Sequence, residues 1–359
     1  MKITDFIHSS FFALPKCRPK DMDFKQYVFE QMDAFLTQIT DLKSTGIHFE
    51  DLEYSFESIE ERQIHLVNQI KKAIEDYYDG KPAKAYDDLV IGLNSKLKNF
   101  EEVMYQYKFP PNENFYRIRK IRDNYALPSN EFFHIPFNKR GQVKTQRYSI
   151  PGFPSLYLGT SLYVCWEELN RPNINEFQAV RLKNLNSIRV LNLVPPLQKN
   201  ISSKRLYQYL MLWPLILCTS VKVNNEDDTF KPEYIIPQLL LQWVRNKDNL
   251  DGIKYQTTHI DFQESNFKGE FINVVLPVKE NKTNGLCENL KRKFEMTAAT
   301  SIQLNEISSP IIFDGEIDVN TVDDKIQQLE IVKGRVFPYS HSKLGELESV
   351  LLQMKTKPI

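Results

Sequence analysis

The chain has 359 residues, 42% of them hydrophobic and 26% charged, with 46 Lys plus Arg balanced by 46 Asp plus Glu. That length holds two or three domains with a substantial core. Zero net charge argues against a nucleic-acid-coating or membrane-surface protein. The longest apolar runs, 210–219 and 235–244, are each broken by a proline and too short to span a bilayer. Residues 1–15 lack the basic start, apolar core and cleavage site of a secretory signal. Cys17, Cys165, Cys218 and Cys287 lie far apart without a CxxC pair, and the six histidines show no metal-ligand spacing. Reduced thiols, no metal site and a cytoplasmic location are the resulting expectations.

In chain order, residues 1–108 read as a helical domain. Helices are expected over 21–42 and 58–78, where Ile64, Val67, Ile70 and Ile74 recur at three- and four-residue spacing. Gly80 stops the second helix, and Pro82 opens a third carrying Leu89 and Leu93. Pro110-Pro111 marks the domain boundary, since neither proline continues a helix. Strands are then expected at 115–121, 155–158, 187–193, 271–278 and 309–313, with helices at 206–220 and 233–245 between them. Pro237 fits the first turn of the latter helix. A last helix is expected over 343–354. The fold class is therefore α+β, with a mixed β core following an added helical N-terminal domain.

The densest chemistry lies between Arg147 and Glu168. Ser155–Leu158 reads as a strand and Gly159-Thr160 as a turn, so Ser161 falls where a helix N-cap belongs. Glu168 follows Ser161 by seven residues, about two helical turns, so both project from one face, whereas Glu167 points about 100° away. Arg117 and Arg119 share one face of the 115–121 strand, as suits a diphosphate, and Arg147 adds a third cation. Tyr157 can stack on a flat ring, Ser161 can orient a hydroxyl or amide, and Glu168 can stabilise an oxocarbenium-like sugar. This set suits cleavage of the nicotinamide–ribose bond of NAD. Each residue alone has a plainer reading: solvated arginines, a core tyrosine, an N-cap, a surface glutamate. His134, in an apolar setting, is either a satisfied core histidine or a border of the NAD pocket. The basic loop 139–144 is a solvated turn by default. No GxGxxG after a strand and no P-loop motif is present.

Arg147, Gly152, Tyr157, Ser161 and Glu168 fall at the spacing of the RES domain, whose motif resembles GRWN-x-x-G-x-x-x-x-Y-x-x-x-S-x-x-x-x-x-x-E. Phe115-Tyr116-Arg117-Ile118 looks like the opening strand of that domain and Asn273-Val274-Val275-Leu276 like its closing one. The resemblance covers about residues 114–280. It implies a fold similar to ADP-ribosyltransferases and an NAD-degrading toxin, working by phosphorolysis or hydrolysis and neutralised by a cognate antitoxin protein. Arg117, Arg147, Tyr157, Ser161 and Glu168 would form the catalytic set. Arg119, Tyr148, His134, Thr257 and Asn273 would help hold NAD, which is substrate and not cofactor, with inorganic phosphate as a possible co-substrate. Here GRWN becomes Gln146-Arg147-Tyr148-Ser149, and a serine expected before Asn273 is replaced by Thr257 or Thr258. The implied organisation is 1–108 helical, 114–300 RES-like with an insertion at about 195–250, and 301–359 as an extension packing on the catalytic domain. Two alternatives stand beside this reading: an ADP-ribosyltransferase acting on a macromolecule, and a catalytically silent NAD- or partner-binding module.

Overall fold

A computed structural model describes residues 7–44, 56–94, 104, 106–121, 125–196, 202–262, 266–307 and 325–359. Its helices are α1 (Phe24–Ser44), α2 (Phe56–Tyr78), α3 (Pro82–Leu93), α4 (Leu162–Glu168), α5 (Ser203–Thr219), α6 (Ile235–Arg245), α7 (Glu288–Lys291), α8 (Ile302–Ile307) and α9 (Lys343–Gln353). The strands are β1 (Gln106–Phe109), β2 (Asn114–Lys120), β3 (Ser155–Gly159), β4 (Phe177–Asn184), β5 (Ile188–Asn192) and β6 (Gly252–Gln256). They continue with β7 (Lys268–Gly269), β8 (Ile272–Pro277), β9 (Phe294–Met296), β10 (Ile326–Val332), β11 (Arg335–Pro338) and β12 (Lys357–Pro358). The fold is α+β. Two compact units divide the chain: Met1–Gln106 with Gln146–Ser149 and Leu191–Asn246, and Tyr107–Thr145 with Ile150–Val190 and Lys247–Ile359.

The first unit is helical. In α2 the fully buried Leu66, Val67, Ile70, Ala73 and Ile74 repeat at helical spacing and form its inward stripe. Gly80, at φ +76, ends the segment, and Pro82 occupies the first turn of α3. The segment expected to be an insertion in the RES-like domain belongs to this unit instead. The reason is composition: α5 is buried from Leu206 to Thr219 on every face, so it must be enclosed by other helices. Trp213 anchors it, its ring 4.6 Å from Phe12 and 5.7 Å from Tyr209. Pro214 lies inside α5 and has no N–H to give to the carbonyl of Leu210. The Nε2 of Gln63, a fully buried residue of α2, donates to that carbonyl at 3.1 Å. A side chain from one helix thus completes the backbone of another.

The second unit carries a nine-stranded sheet in the order β1-β5-β6-β8-β3-β2-β4-β9-β12 and a three-stranded one, β11-β10-β7. Residues 106–108, placed at the end of the helical domain, form β1 with Phe109. Tyr107 and Phe109 alternate, and a helix could not pass Pro110 in any case. Alternation sorts β2 and β4 between two cores. Phe115, Val180 and Leu182 enter one, with Phe132, Phe133 and Phe137. Tyr116, Ile118, Phe177 and Ala179 enter the other, beneath α4 and α9. The tail belongs to this unit too. β12 pairs with β9, and buried Arg181 of β4 donates to the carbonyls of Leu351 and Met354 at the end of α9 (2.8 and 2.6 Å) and to Asn114 Oδ1 (2.9 Å). A cation set on orphan helix carbonyls satisfies both partners. The strand expected at 309–313 lies outside the described residues.

One feature of the sheet positions the site. β2 pairs with β4 at seven positions and β3 with β8 at five, yet β2 and β3 share one pair, Tyr116 with Gly159. The sheet is two ladders joined at a single rung, with Arg117 and Tyr157 near that rung.

Substituting Gln63→Ala leaves the Leu210 carbonyl buried without a donor, which costs about 1–3 kcal/mol. Urea denaturation followed by far-UV circular dichroism should show a lower midpoint, and an unchanged midpoint would refute the role.

Candidate functional site

Gly159 makes the site possible. A Cβ built there would lie 2.6 Å from Cys165 Sγ and 3.0 Å from the Ser161 carbonyl oxygen, so only glycine lets α4 approach β3 this closely. Ser161 is the N-cap, its Oγ accepting from the Val164 N–H at 3.2 Å. The first free amide of α4, Leu162 N–H, donates to Glu348 Oε2 of α9 at 2.8 Å, and the Tyr339 hydroxyl donates to the same oxygen at 2.7 Å. A buried carboxylate therefore caps the helix where the peptide dipoles favour negative charge. The helix stops after Glu168 because Asn170 and Arg171 take left-handed backbone, at φ +58 and +50, ahead of Pro172.

Glu168, at the last position of α4, is held from two strands' directions. Its Oε1 accepts from Thr257 Oγ1 at 2.6 Å and from Asn273 Nδ2 at 2.7 Å. Asn273 lies on β8 opposite Gly159 of β3 and Tyr255 of β6, and Thr257 follows the end of β6. Oε2 makes neither of these bonds; it lies 3.7 Å from His259 Nε2, and both side chains keep about 30% of their surface in solvent (30% and 27%). Glu167 differs throughout: it is buried and paired with Arg171 Nε at 3.0 Å. The 100° offset between the neighbours buries one carboxylate against Arg171 and leaves the other held by Thr257 and Asn273 and part exposed.

Arg117 is the other charged feature. Among the described residues its Nη1 is out of water with no hydrogen-bond partner. Burial pushes its guanidinium down to about 10, partly offset by the Cys165 and Tyr157 side chains, so it remains a cation at neutral pH. Tyr157 is its electrostatic neighbour, with a hydroxyl pushed upward by burial and drawn back by Arg117. Cys165 Sγ donates to the Tyr116 carbonyl at 3.2 Å, and burial pushes its thiol up to about 12, which suits packing and not nucleophilic work.

Several sequence expectations change here. Arg119 does not share Arg117's surroundings: it is about half exposed and paired with Glu131 at 2.7 Å, a surface ion pair at the end of the strand. Arg147 and Tyr148 belong to the first unit, where Arg147 Nη1 donates to the Thr219 carbonyl at 3.3 Å and its guanidinium lies over the Tyr234 ring at 5.3 Å. Tyr148 is buried in the same unit, its hydroxyl pushed upward by burial. His134 takes the core role. The Cys287 amide can only donate, so Nε2 accepts from it at 2.8 Å, and the proton on Nδ1 is given to the Ile135 carbonyl at 2.8 Å. Both nitrogens are used and the residue is 1% exposed. The structure thus brings together Glu168, Thr257 and Asn273 in one group and Arg117 with Tyr157 in another. Sequence reasoning passed over His259 and Glu348. The turn Thr257-Thr258-His259 after a strand was a signal for the first. No local signal exists for Glu348, which acts 186 residues from its partner.

The chain is 31% identical over 376 aligned residues to "Putative toxin YopC" of Bacillus subtilis (strain 168), an alignment covering 96% of this chain and 80% of that protein. The chain belongs to that protein's family. No family model matches the chain, and no solved structure matches it. No helix among the described residues is long and apolar enough to cross a membrane.

Two outcomes follow. Glu348→Ala strips a buried amide and a buried hydroxyl of their acceptor, each worth about 1–3 kcal/mol. Thermal unfolding should come at a clearly lower temperature, with Glu348→Gln, which keeps an acceptor oxygen, losing less; equal loss would refute the capping role. Burial and the neighbouring Arg117 lower the His134 pKa below its ordinary 6.5. The unfolded chain therefore binds a proton first, so the stability His134 contributes is complete above 6.5 and is lost as pH falls from there toward the lowered native value. Denaturation midpoints measured at successive pH values should fall less steeply on the acid side in His134→Gln than in wild type.

Proposed function

We propose that the protein is a toxin that degrades NAD, cleaving the nicotinamide–ribose bond with inorganic phosphate or water as acceptor. One observation carries the reading: Glu168 is fixed through one oxygen by Thr257 and Asn273, while its other oxygen makes neither bond and its side chain keeps 30% of its surface in solvent. A carboxylate so prepared costs no reorganisation when positive charge develops on a sugar. The family relative named a toxin supports the coarser part. The RES-like register of Tyr157, Ser161 and Glu168, with Arg117 and Asn273, supports the finer part.

In this scheme the C1–N bond breaks with its electron pair moving to the pyridinium nitrogen, giving neutral nicotinamide. The sugar cation is stabilised by Glu168 Oε2. An oxygen of phosphate then bonds to C1, giving ADP-ribose-1″-phosphate; with water, ADP-ribose forms and a proton is released. Arg117 supplies the charge for a phosphate group of the dinucleotide. A buried Nη1 without an acceptor is costly to keep, and a phosphate oxygen is an acceptor that suits it. Tyr157 offers its ring as a wall for the nicotinamide. An antitoxin protein that blocks this site fits a host that must survive its own NAD-consuming enzyme.

Incubating the purified chain with NAD and phosphate should release nicotinamide, with Glu168→Ala slowing release by about 10²- to 10³-fold, the usual effect of deleting a transition-state-stabilising group. Thr257→Ala and Asn273→Ala should each slow it by up to about 10²-fold through misplacement of the carboxylate. Intact NAD with the wild-type chain would overturn the proposal.

A further inference from the structure

Resting on the reading that the nicotinamide-side ribose lies at Glu168, we infer that His259 is a second ribose contact, gripping with Glu168 the two neighbouring hydroxyls of that sugar. Three observations converge. Oε1 of Glu168 already accepts from Thr257 and Asn273, so ligand recognition falls to Oε2. His259 Nε2 stands 3.7 Å from Oε2, beyond the range of about 2.7–3.2 Å for a direct hydrogen bond, so the two polar atoms sit side by side without using each other up. Both side chains are part exposed, at 27% and 30%, and therefore within reach of a ligand.

The local backbone fixes this pairing. Thr257 Oγ1 gives its proton to Glu168 Oε1 and accepts the His259 N–H at 3.2 Å. One threonine hydroxyl thus sets both halves of the grip, which is the kind of shared support that holds a site to fractions of an ångström. A vicinal diol matches the pair. One hydroxyl donates to Oε2, and the other meets Nε2, which can accept from or donate to a hydroxyl according to the imidazole tautomer. A deoxyribose, or any sugar lacking one of these hydroxyls, leaves one of the two groups unmatched. Selection for a ribo-dinucleotide follows from this geometry.

Carbocyclic NAD, in which the nicotinamide-side ring oxygen is a methylene so that no sugar cation forms, serves as the probe, with two analogues each lacking one of its vicinal hydroxyls. Binding is measured by calorimetry on the full chain. Wild type should lose about 10-fold in affinity for each missing hydroxyl, the usual worth of one such hydrogen bond. His259→Ala should bind the parent probe about 10-fold more weakly and be indifferent to one hydroxyl while keeping its sensitivity to the other. His259→Gln, with an amide of similar reach, should recover part of the loss, and matched unfolding midpoints show that the fold is kept. Unchanged penalties for both hydroxyls in His259→Ala overturn the inference alone. No binding of the parent probe by wild type overturns the ribose reading and the inference with it.

Discussion

Helix α4 can sit against β3 only because residue 159 has no side chain. Cys165 Sγ occupies the volume a Cβ would fill, 2.6 Å from where that atom would stand. From this contact the rest follows in order. The helix begins at Ser161, two turns carry it to Glu168, and its last residue arrives where β6 and β8 present Thr257 and Asn273. Any larger residue at 159 pushes the helix outward by about an ångström or more, the scale on which catalytic geometry is lost. The same glycine is the only position of β3 paired with β2, so the helix contact and the seam of the sheet coincide at one residue.

Two arginines of the second unit show how partners assign roles. Arg181 is fully buried and donates to the Leu351 and Met354 carbonyls and to Asn114, which pins the end of α9. Arg117 is one strand away, with a buried Nη1 that no described residue accepts from. A buried unpartnered donor costs roughly 1–3 kcal/mol, more when charged, so a sequence under selection for stability alone would replace it. Stability is satisfied at Arg181 and forgone at the Nη1 of Arg117.

Local patterns in the sequence carried much of this. The Ser161 cap, the seven-residue step to Glu168 and the choice of Glu168 over Glu167 are all properties of a single helix, and helical geometry alone supplies them. The change from helical to β-rich character at Pro110-Pro111 was legible from proline and from hydrophobic period. What local pattern could not give was membership. Arg147 lies eight residues before β3, but its Thr219 and Tyr234 contacts are made in the other unit. Residues 191–246 follow the same rule: an all-round apolar helix states that it must be enclosed, not by which elements. Arg119 shares a strand face with Arg117, but face does not fix depth, and two residues nearer the strand end it reaches solvent and Glu131. The strands β1 and β4 were missed where a short aromatic alternation followed a helical region and where Arg181 and Gln178 interrupted an apolar run that is nonetheless buried.

Three carboxylates surround α4, and their partners divide the work among them. Glu348 lies at the amino end, where it accepts from the Leu162 N–H and the Tyr339 hydroxyl at the positive end of the peptide dipoles. Glu167 is tied to Arg171 on the carboxyl side and offsets the left-handed turn that ends the helix. Glu168 receives neutral donors only, and both of them on one oxygen. Neutral donors orient a carboxylate without neutralising its charge, which an arginine at that place would do. Arg117 differs from all three: its buried Nη1 has no acceptor among the described residues.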